Sequence, residues 1–407
     1  MKRREFLGLA AAAAGMVGCA HSSAPRHGTQ NIFFTSAGKT CIIREDGTGL
    51  RPLELHAKDQ VTWQPCGFYP DGKVLMLSME ERRDGPGKPF EIYYRQTPTH
   101  IWIYDLERDE LREIVTRDRK AVFCTPALLL SGGRLLVQVV LEAGGQILNV
   151  AEDGSDAQEF TKIGEGLPYG LSLSPDGKRV AFHLASPEGY QIYTSDPDGG
   201  NRVRVAAHPD WLYFAPMWSP DGQWLLYQAC DYKNDPGHDW ADLCIGRPDG
   251  SEHRVLTQGG AAWFAATYGP RDRKGGGSNV PVWTHDGKIL FSRRLPGAKV
   301  PWEYQAGRPD TDHFNRDFKP ESAHGGAEVG LLASETGLVT SLTQSAPPVW
   351  DFRVCEAPNA RRIAFCRCAT GESPALWVMN PDGSGQQMLT RGLDDAGADH
   401  PRWQPLA

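Results

Sequence analysis

The chain has no surplus of positive charge. Its 43 lysines and arginines are outnumbered by 50 aspartates and glutamates, for a net charge of -7 and a pI near 6.0. Phosphate backbones need basic surfaces, so nucleic acid is excluded as a partner. Beyond the N-terminus no lysine or arginine run suggests a membrane-surface patch. Long hydrophobic runs are missing too: the alanine-rich stretch from Leu7 to Gly18 is too short to span a bilayer stably. The 9 cysteines are scattered, with neither Cys-x-x-Cys nor zinc-ligand spacing. Cys230 and Cys244 flank one loop and read as two buried thiols or a cross-strand pair. There is no Gly-x-Ser-x-Gly elbow and no domain to house one, which argues against a serine peptidase. A phosphate loop and His-Glu-x-x-His are also absent. Gly275-Gly276-Gly277 precedes a strand rather than opening a helix, and Asp196-Pro197-Asp198-Gly199 begins like a calcium loop but lacks the rest.

What is abundant is turn chemistry. The 407 residues include 45 glycines and 30 prolines, as short strands joined by many turns require. Pro-Asp-Gly recurs at Pro70-Asp71-Gly72, Pro175-Asp176-Gly177, Pro197-Asp198-Gly199, Pro220-Asp221-Gly222, Pro248-Asp249-Gly250 and Pro381-Asp382-Gly383. Variants sit at Asp46-Gly47, Asp153-Gly154 and Asp286-Gly287. Proline presets the first central position of a type I turn, aspartate suits the second, and glycine accepts the left-handed position that follows. Such turns at intervals of roughly 45 residues predict an all-β fold, a β-propeller of four-stranded antiparallel blades.

One blade reads clearly: strands at Phe214–Trp218, Trp224–Gln228, Asp242–Gly246 and His253–Thr257. The same grammar fits Tyr169 through Val205 and Arg353 to Thr390, with looser copies at Val61–Val115, Phe123–Phe160 and Val280–Leu342. His400-Pro401-Arg402-Trp403 matches a first strand, and its three missing partners lie at Asn31–Thr35, Thr40–Arg44 and Arg51–Leu55. The reading is a seven-bladed propeller over 31–407. The C-terminal strand closes the ring against the N-terminal strands, which removes exposed sheet edges.

Strand order then separates two faces. Pro-Asp-Gly turns occupy one. Every long insertion falls on the other: Glu80–Thr99, Asp231–Ala241, Gln258–Asn279 and Leu295–Ala327. Long loops are usually functional or disordered, and these are too rich in Trp, Phe and Tyr for disorder. Aligning first strands on their turns puts Arg353 and His400 at equivalent positions, with Phe214, Phe352 and Asp399 one position earlier. A guanidinium, an imidazole and a carboxylate near one channel mouth make a candidate site.

Several motifs carry two readings. In His238-Asp239-Trp240 the residues offer a base, a carboxylate and a sugar-stacking ring, or a turn cap and a packing ring. Asp312-His313 and Arg316-Asp317 could bind a metal or a uronate, or salt-bridge their own loop. Trp350 positions Arg353 over the channel or belongs to the core. His183, at a strand end, reads as a structural hydrogen-bonder.

The Trp-Ser-Pro-Asp-Gly and Asn-Pro-Asp-Gly-Ser repeats resemble the propeller of TolB and the WD-like repeat superfamily, over nearly the whole mature chain. The long His- and Trp-rich loops look most like oligogalacturonate lyase. That resemblance implies β-elimination on a uronate-containing oligosaccharide or polysaccharide. Arg353 would neutralise the carboxylate, His238 or His313 would act as base, and Asp239, Trp240, Trp263, Arg316 and Trp350 would bind substrate. It also implies a divalent metal, manganese or calcium, with His324 and His400 as candidate ligands. Oligogalacturonate lyases hold manganese with a Gln-x-x-His-x-His pattern that this chain lacks, so another polysaccharide target or a metal-free mechanism stands beside the named activity. The alternative is a non-catalytic TolB-like lipoprotein holding a protein or glycan on its insertion face.

The N-terminus resembles export machinery. Lys2-Arg3-Arg4-Glu5-Phe6-Leu7 is similar to a twin-arginine signal, and Met16-Val17-Gly18-Cys19 to a bacterial lipobox. The resemblance implies a signal peptide at 1–18, lipidation of Cys19, a polar tether to residue 30, and an exported lipoprotein of the periplasm or cell surface. Contact with the membrane would then run through the lipid anchor alone. Twin-arginine export carries folded proteins, so disulfides become optional.

Overall fold

The computed structural model describes residues 29–80, 99–114, 127–141, 144–186, 188–231, 239–270, 275–300, 302–304, 316–391, 393 and 397–406; for 140, 141, 144, 275, 276, 302–304 and 316–318 it describes the backbone alone. Cys19 and the export segment lie outside the described residues, as do His238, His313 and the insertion at 81–98.

The described chain is all-β, its one helical piece being a 3-10 turn at Pro320–Ser322. No helix among the described residues is long and apolar enough to cross a membrane. Strands group in antiparallel fours, arranged like propeller blades. Module A pairs Asp399–Trp403 with Asn31–Ser36, then Lys39–Arg44, then Arg51–Pro52. The last strand thus lies on the first, with Ile32 opposite Trp403. Module B runs Gln60–Phe68, Val74–Glu80, Thr99–Asp105, Glu110–Ile114. Module C runs Leu128–Leu129, Leu135–Leu141, Gly144–Val150, Gln158–Glu159. Module D runs Leu167–Leu173, Val180–Ser186, Gly189–Ser195, Val203–Ala206.

These are the four separate four-stranded sheets. The strands expected to form the remaining blades are not separate. They merge into one thirteen-stranded sheet. Within it run module E (Trp211–Trp218, Leu225–Asp231, Trp240–Gly246, His253–Val255), module F (Val282–Trp283, Ile289–Arg294, Ala327–Leu332, Val339–Ser341) and module G (Val349–Glu356, Ile363–Ala369, Ala375–Met379, Gln387–Met388). The cause is the insertion before module F. Its strand Ala262–Trp263 pairs with Trp240 and Ala241 on one side and Arg293 on the other. A parallel bridge, Ala327 to Trp350, joins F to G.

Alternation along each strand sends side chains to two neighbours. Leu225, Tyr227 and Ala229 pack with Ile192 and Val205 of module D, while Leu226 packs with Ile289 and Phe291 of module F. Similar clusters join A to B, B to C, C to D, F to G, and G back to A. Indole N–H groups tie inner strands together: Trp218 donates to Ser172 O at 3.1 Å, Trp283 to Met217 O at 3.2 Å, and Trp403 to Cys355 O at 3.3 Å.

The turns behave as their chemistry demands. The Asp249 and Asp382 carboxylates accept from the backbone N–H two residues on, at 2.9 and 3.0 Å. Gly383 sits at φ +85, and a Cβ there would collide with Leu342 O of the preceding module. That turn therefore needs glycine both for its backbone and for a close approach. Cys230 and Cys244 are buried and are not joined in a disulfide.

Candidate functional site

Four inner strands carry the same defect. Register slips between Tyr169 and Ser172, Phe214 and Met217, and Phe352 and Cys355, and again where Asp399–Trp403 meets Asn31–Ser36. At each bulge one residue takes positive φ: Gly170 at +67, Ala215 at +50, Arg353 at +55, His400 at +52. Bulges re-aim side chains and free backbone groups from the ladder. Second strands also bond the inner-strand region of the next module. Gln138 donates to Pro168 O, His183 Nδ1 accepts from Ala215 N–H at 3.3 Å, Gln228 donates to Asn279 O at 3.2 Å, and Ser292 donates to Asp351 O.

The expected equivalence of Arg353 and His400 is realised, and both engage one carboxylate. Asp399 Oδ1 accepts from Arg353 Nε at 3.3 Å and from the His400 backbone N–H at 2.8 Å. Its Oδ2 lies 2.9 Å from His400 Nδ1 and accepts from the Tyr268 hydroxyl. Tyr268 comes from the insertion hairpin Ala265–Tyr268 and Gly275–Ser278. Asn279, at its base, accepts the Arg353 backbone N–H at 2.9 Å and donates to Trp263 O at 2.8 Å. The Arg353 side chain is 7% exposed, Asp399 13% and His400 29%, so the imidazole is the accessible member. Arg353 Nη2 is buried without a hydrogen-bond partner, and Gly277 stands beside it, where a Cβ would lie 3.0 Å away.

The electrostatics follow. Burial alone would raise the Asp399 carboxyl, but the charges of His400 and Arg353 and the bonds from His400 and Tyr268 outweigh it and hold it well below the usual carboxylate range. Burial lowers His400, and Asp399 opposes this only in part. Tyr268 is pushed well above a normal phenol, first by burial and then by the Asp399 charge. With Asp399 holding the Nδ1 proton, Nε2 is left as the basic nitrogen, the orientation used for general-base work.

Other expected site residues fall elsewhere. Trp240, Trp263 and Trp350 are 9%, 1% and 4% exposed and pack together, with Trp263 and Trp350 centroids 4.6 Å apart. They are core rings rather than open sugar platforms, because the insertion folds onto module G. Trp350 Nε1 donates to Thr370 Oγ1 at 2.9 Å. Asp239 is buried, and its carbonyl accepts from Phe264 N–H at 2.8 Å. It anchors the insertion. Arg316 begins the strand Arg316–Phe318, paired with Trp302–Tyr304. His324 is exposed, and its backbone bridges Lys299. His400 is committed to Asp399. Among the described residues no three His, Cys, Asp or Glu side chains gather to hold a metal, so His324 and His400 do not fit the divalent site the resemblance implies.

Sequence reasoning missed Tyr268 and Asn279. Both lie in an insertion that has no counterpart in other modules, so no register could place them. Asp399 was legible through alignment alone.

No family model matches the chain. An outer-membrane lipoprotein carrier protein of Halorhodospira halophila is 24% identical over 198 residues, which is 42% of this chain and 82% of that protein. Among solved structures, puromycin hydrolase superposes with a TM-score of 0.54 at 14% identity, covering 90% of this chain and 54% of that one. An oligogalacturonate lyase in complex with manganese gives 0.51 at 13% identity, covering 88% of this chain and 85% of that one. TolB from Acinetobacter baumannii gives 0.46 at 14% identity, covering 90% and 79%. At these identities the likeness speaks to the fold alone.

Proposed function

We propose that the chain is an exported, carbohydrate-active propeller that cleaves a uronate-containing oligosaccharide by β-elimination. In this reading modules A to G form a closed ring of seven blades. Support comes from the apolar clusters that link each module to the next, including G back to A. The N-terminal segment would direct export, with Cys19 lipidated.

One observation carries the activity: Arg353 and His400, at equivalent bulges of adjacent modules, meet on Asp399. His400 Nε2 takes the proton at C5 of the uronate. Its electron pair forms the C4–C5 double bond, the C4–O bond breaks, and the leaving oxygen takes up a proton from the imidazolium or water. Arg353 Nη2 is the donor left over for the substrate carboxylate, whose charge must be countered before C5–H becomes acidic.

The test is incubation with a panel of uronic-acid oligosaccharides, with divalent metal supplied, following ultraviolet absorbance of the unsaturated product. Wild type should produce it and His400→Gln should not. Silence across the panel sinks the lyase reading. A specific observation favours a second one: Arg353 and Asp399 are largely closed off and paired to each other. On that basis the cluster would be a structural latch in a non-catalytic propeller that binds a protein or glycan.

A further inference from the structure

The four bulge positions differ in what they carry. Modules G and A place Arg353 and His400 there; modules D and E place Gly170 and Ala215, both half-buried. Where the small residues stand, aromatic rings gather. Tyr169, one residue before its bulge, is register-equivalent to Asp399. Its ring centroid lies 3.7 Å from that of His183 and 6.1 Å from that of Tyr190. Tyr190 in turn lies 4.9 Å from Phe214. Both tyrosines are partly exposed, unlike the tryptophans. Tyr190 lies near the start of the strand Gly189–Ser195, on the insertion face.

His183 is the second observation. Its Nδ1 accepts from Ala215 N–H, so the ring proton sits on Nε2, and Nε2 is buried without a partner. Buried donors of this kind call for an acceptor. The Gly170 position also accommodates the imidazole, since a Cβ there would lie 2.6 Å from His183 Nδ1.

We propose that Tyr169 and Tyr190, backed by His183 and Phe214, form a stacking subsite for a pyranose ring of the substrate, one or more residues along the chain from the uronate held near Arg353. This rests on the uronate reading. Tyrosine offers an apolar face to sugar C–H groups and keeps a polar tip in water.

The test compares wild type, Tyr190→Ala and Tyr190→Phe on oligouronides of two to five residues, with thermal unfolding as a check on the fold. Wild-type KM should fall with chain length. Tyr190→Ala should erase about tenfold of that gain while kcat/KM on the dimer stays within about twofold; Tyr190→Phe should behave as wild type. Equal loss on dimer and pentamer, or no loss on either, overturns the subsite. If wild type cleaves no oligouronide, the uronate reading falls first. Calorimetric titration with a neutral pyranose tetramer then decides: binding that Tyr190→Ala weakens upholds the subsite, and no binding overturns it.

Discussion

His183 makes the protein acid-labile in a way that one substitution should remove. Its side chain is 2% exposed, and burial pushes its imidazole down to about 3. An unfolded histidine titrates near 6.5. Below that value the unfolded state binds a proton the folded state refuses, so stability falls as pH drops. The loss from this one group is about 2 kcal/mol at pH 5 and about 3 kcal/mol at pH 4. His400 is shifted in the same direction and contributes with the same sign. Asp399 has its carboxyl depressed, so its share is present above the ordinary carboxylate pKa and fades only on further acidification.

The window from pH 7 to 5 therefore isolates the histidines. His183→Gln is the informative variant, because Gln138 and Gln228 stand at matching second-strand positions and each bonds the next module's inner-strand region. The glutamine oxygen can accept Ala215 N–H as Nδ1 does. Urea unfolding at pH 7, 6 and 5 should show wild type losing about 2 kcal/mol more than His183→Gln across that range. Parallel loss in both proteins would refute the argument. It would mean that His183 is protonated in the folded state, or that acid acts elsewhere.

Two further predictions concern the turns and the charge cluster. Gly287→Ala should cost about 1 kcal/mol, because φ is +78 but nothing lies within 4 Å of the added Cβ. Gly383→Ala should cost about 3 kcal/mol, since the same backbone strain is joined by a clash with Leu342 O. Denaturant midpoints measure both, and equal costs would deny that this turn packs on the preceding module. Asp399→Asn leaves the Arg353 guanidinium buried without its counter-charge and should destabilise by about 3–5 kcal/mol. Tyr268→Phe, which removes one hydrogen bond to the ionised carboxylate, should cost about 1.5–3 kcal/mol in the same assay.

The repeat was legible because its turns demand particular residues. The first strand expected at Phe214–Trp218 runs Trp211–Trp218, and the strand expected at His253–Thr257 shortens to His253–Val255. Such boundaries depend on pairing partners, which turn chemistry does not specify. Register alignment also placed Arg353 and His400 correctly, since equivalent positions in repeated modules share a backbone. Trp263 came instead from an insertion-loop reading that left it open to sugar. In the fold that indole lies 5.6 Å from Phe352, a contact between insertion and module G that no repeat encodes. Tyr268 and Asp399 are 131 residues apart, and nothing local to either announces the other.

The bulge itself offers a last argument for a role at Arg353 and His400. A left-handed backbone costs a residue with a side chain roughly 1 kcal/mol or more relative to glycine. Module D uses Gly170 at its bulge, so glycine is compatible with the architecture. Modules G and A hold Arg353 and His400 in the same strained conformation, and Arg353 retains a buried, unpartnered Nη2 as well. Module E holds Ala215 at φ +50 as well, so backbone strain alone is no sign of function; what sets Arg353 apart is a buried guanidinium that needs Asp399 to offset its charge. A ligand acceptor for Nη2 would supply the compensating interaction. The strained imidazole is therefore where substitution should separate stability from activity. His400→Gly should move the denaturant midpoint at pH 7 little, because relief of the backbone offsets the lost Nδ1 contact with Asp399 and Arg353 stays on Asp399, while formation of unsaturated product disappears. A structural latch predicts the reverse, a lower midpoint with no turnover to lose.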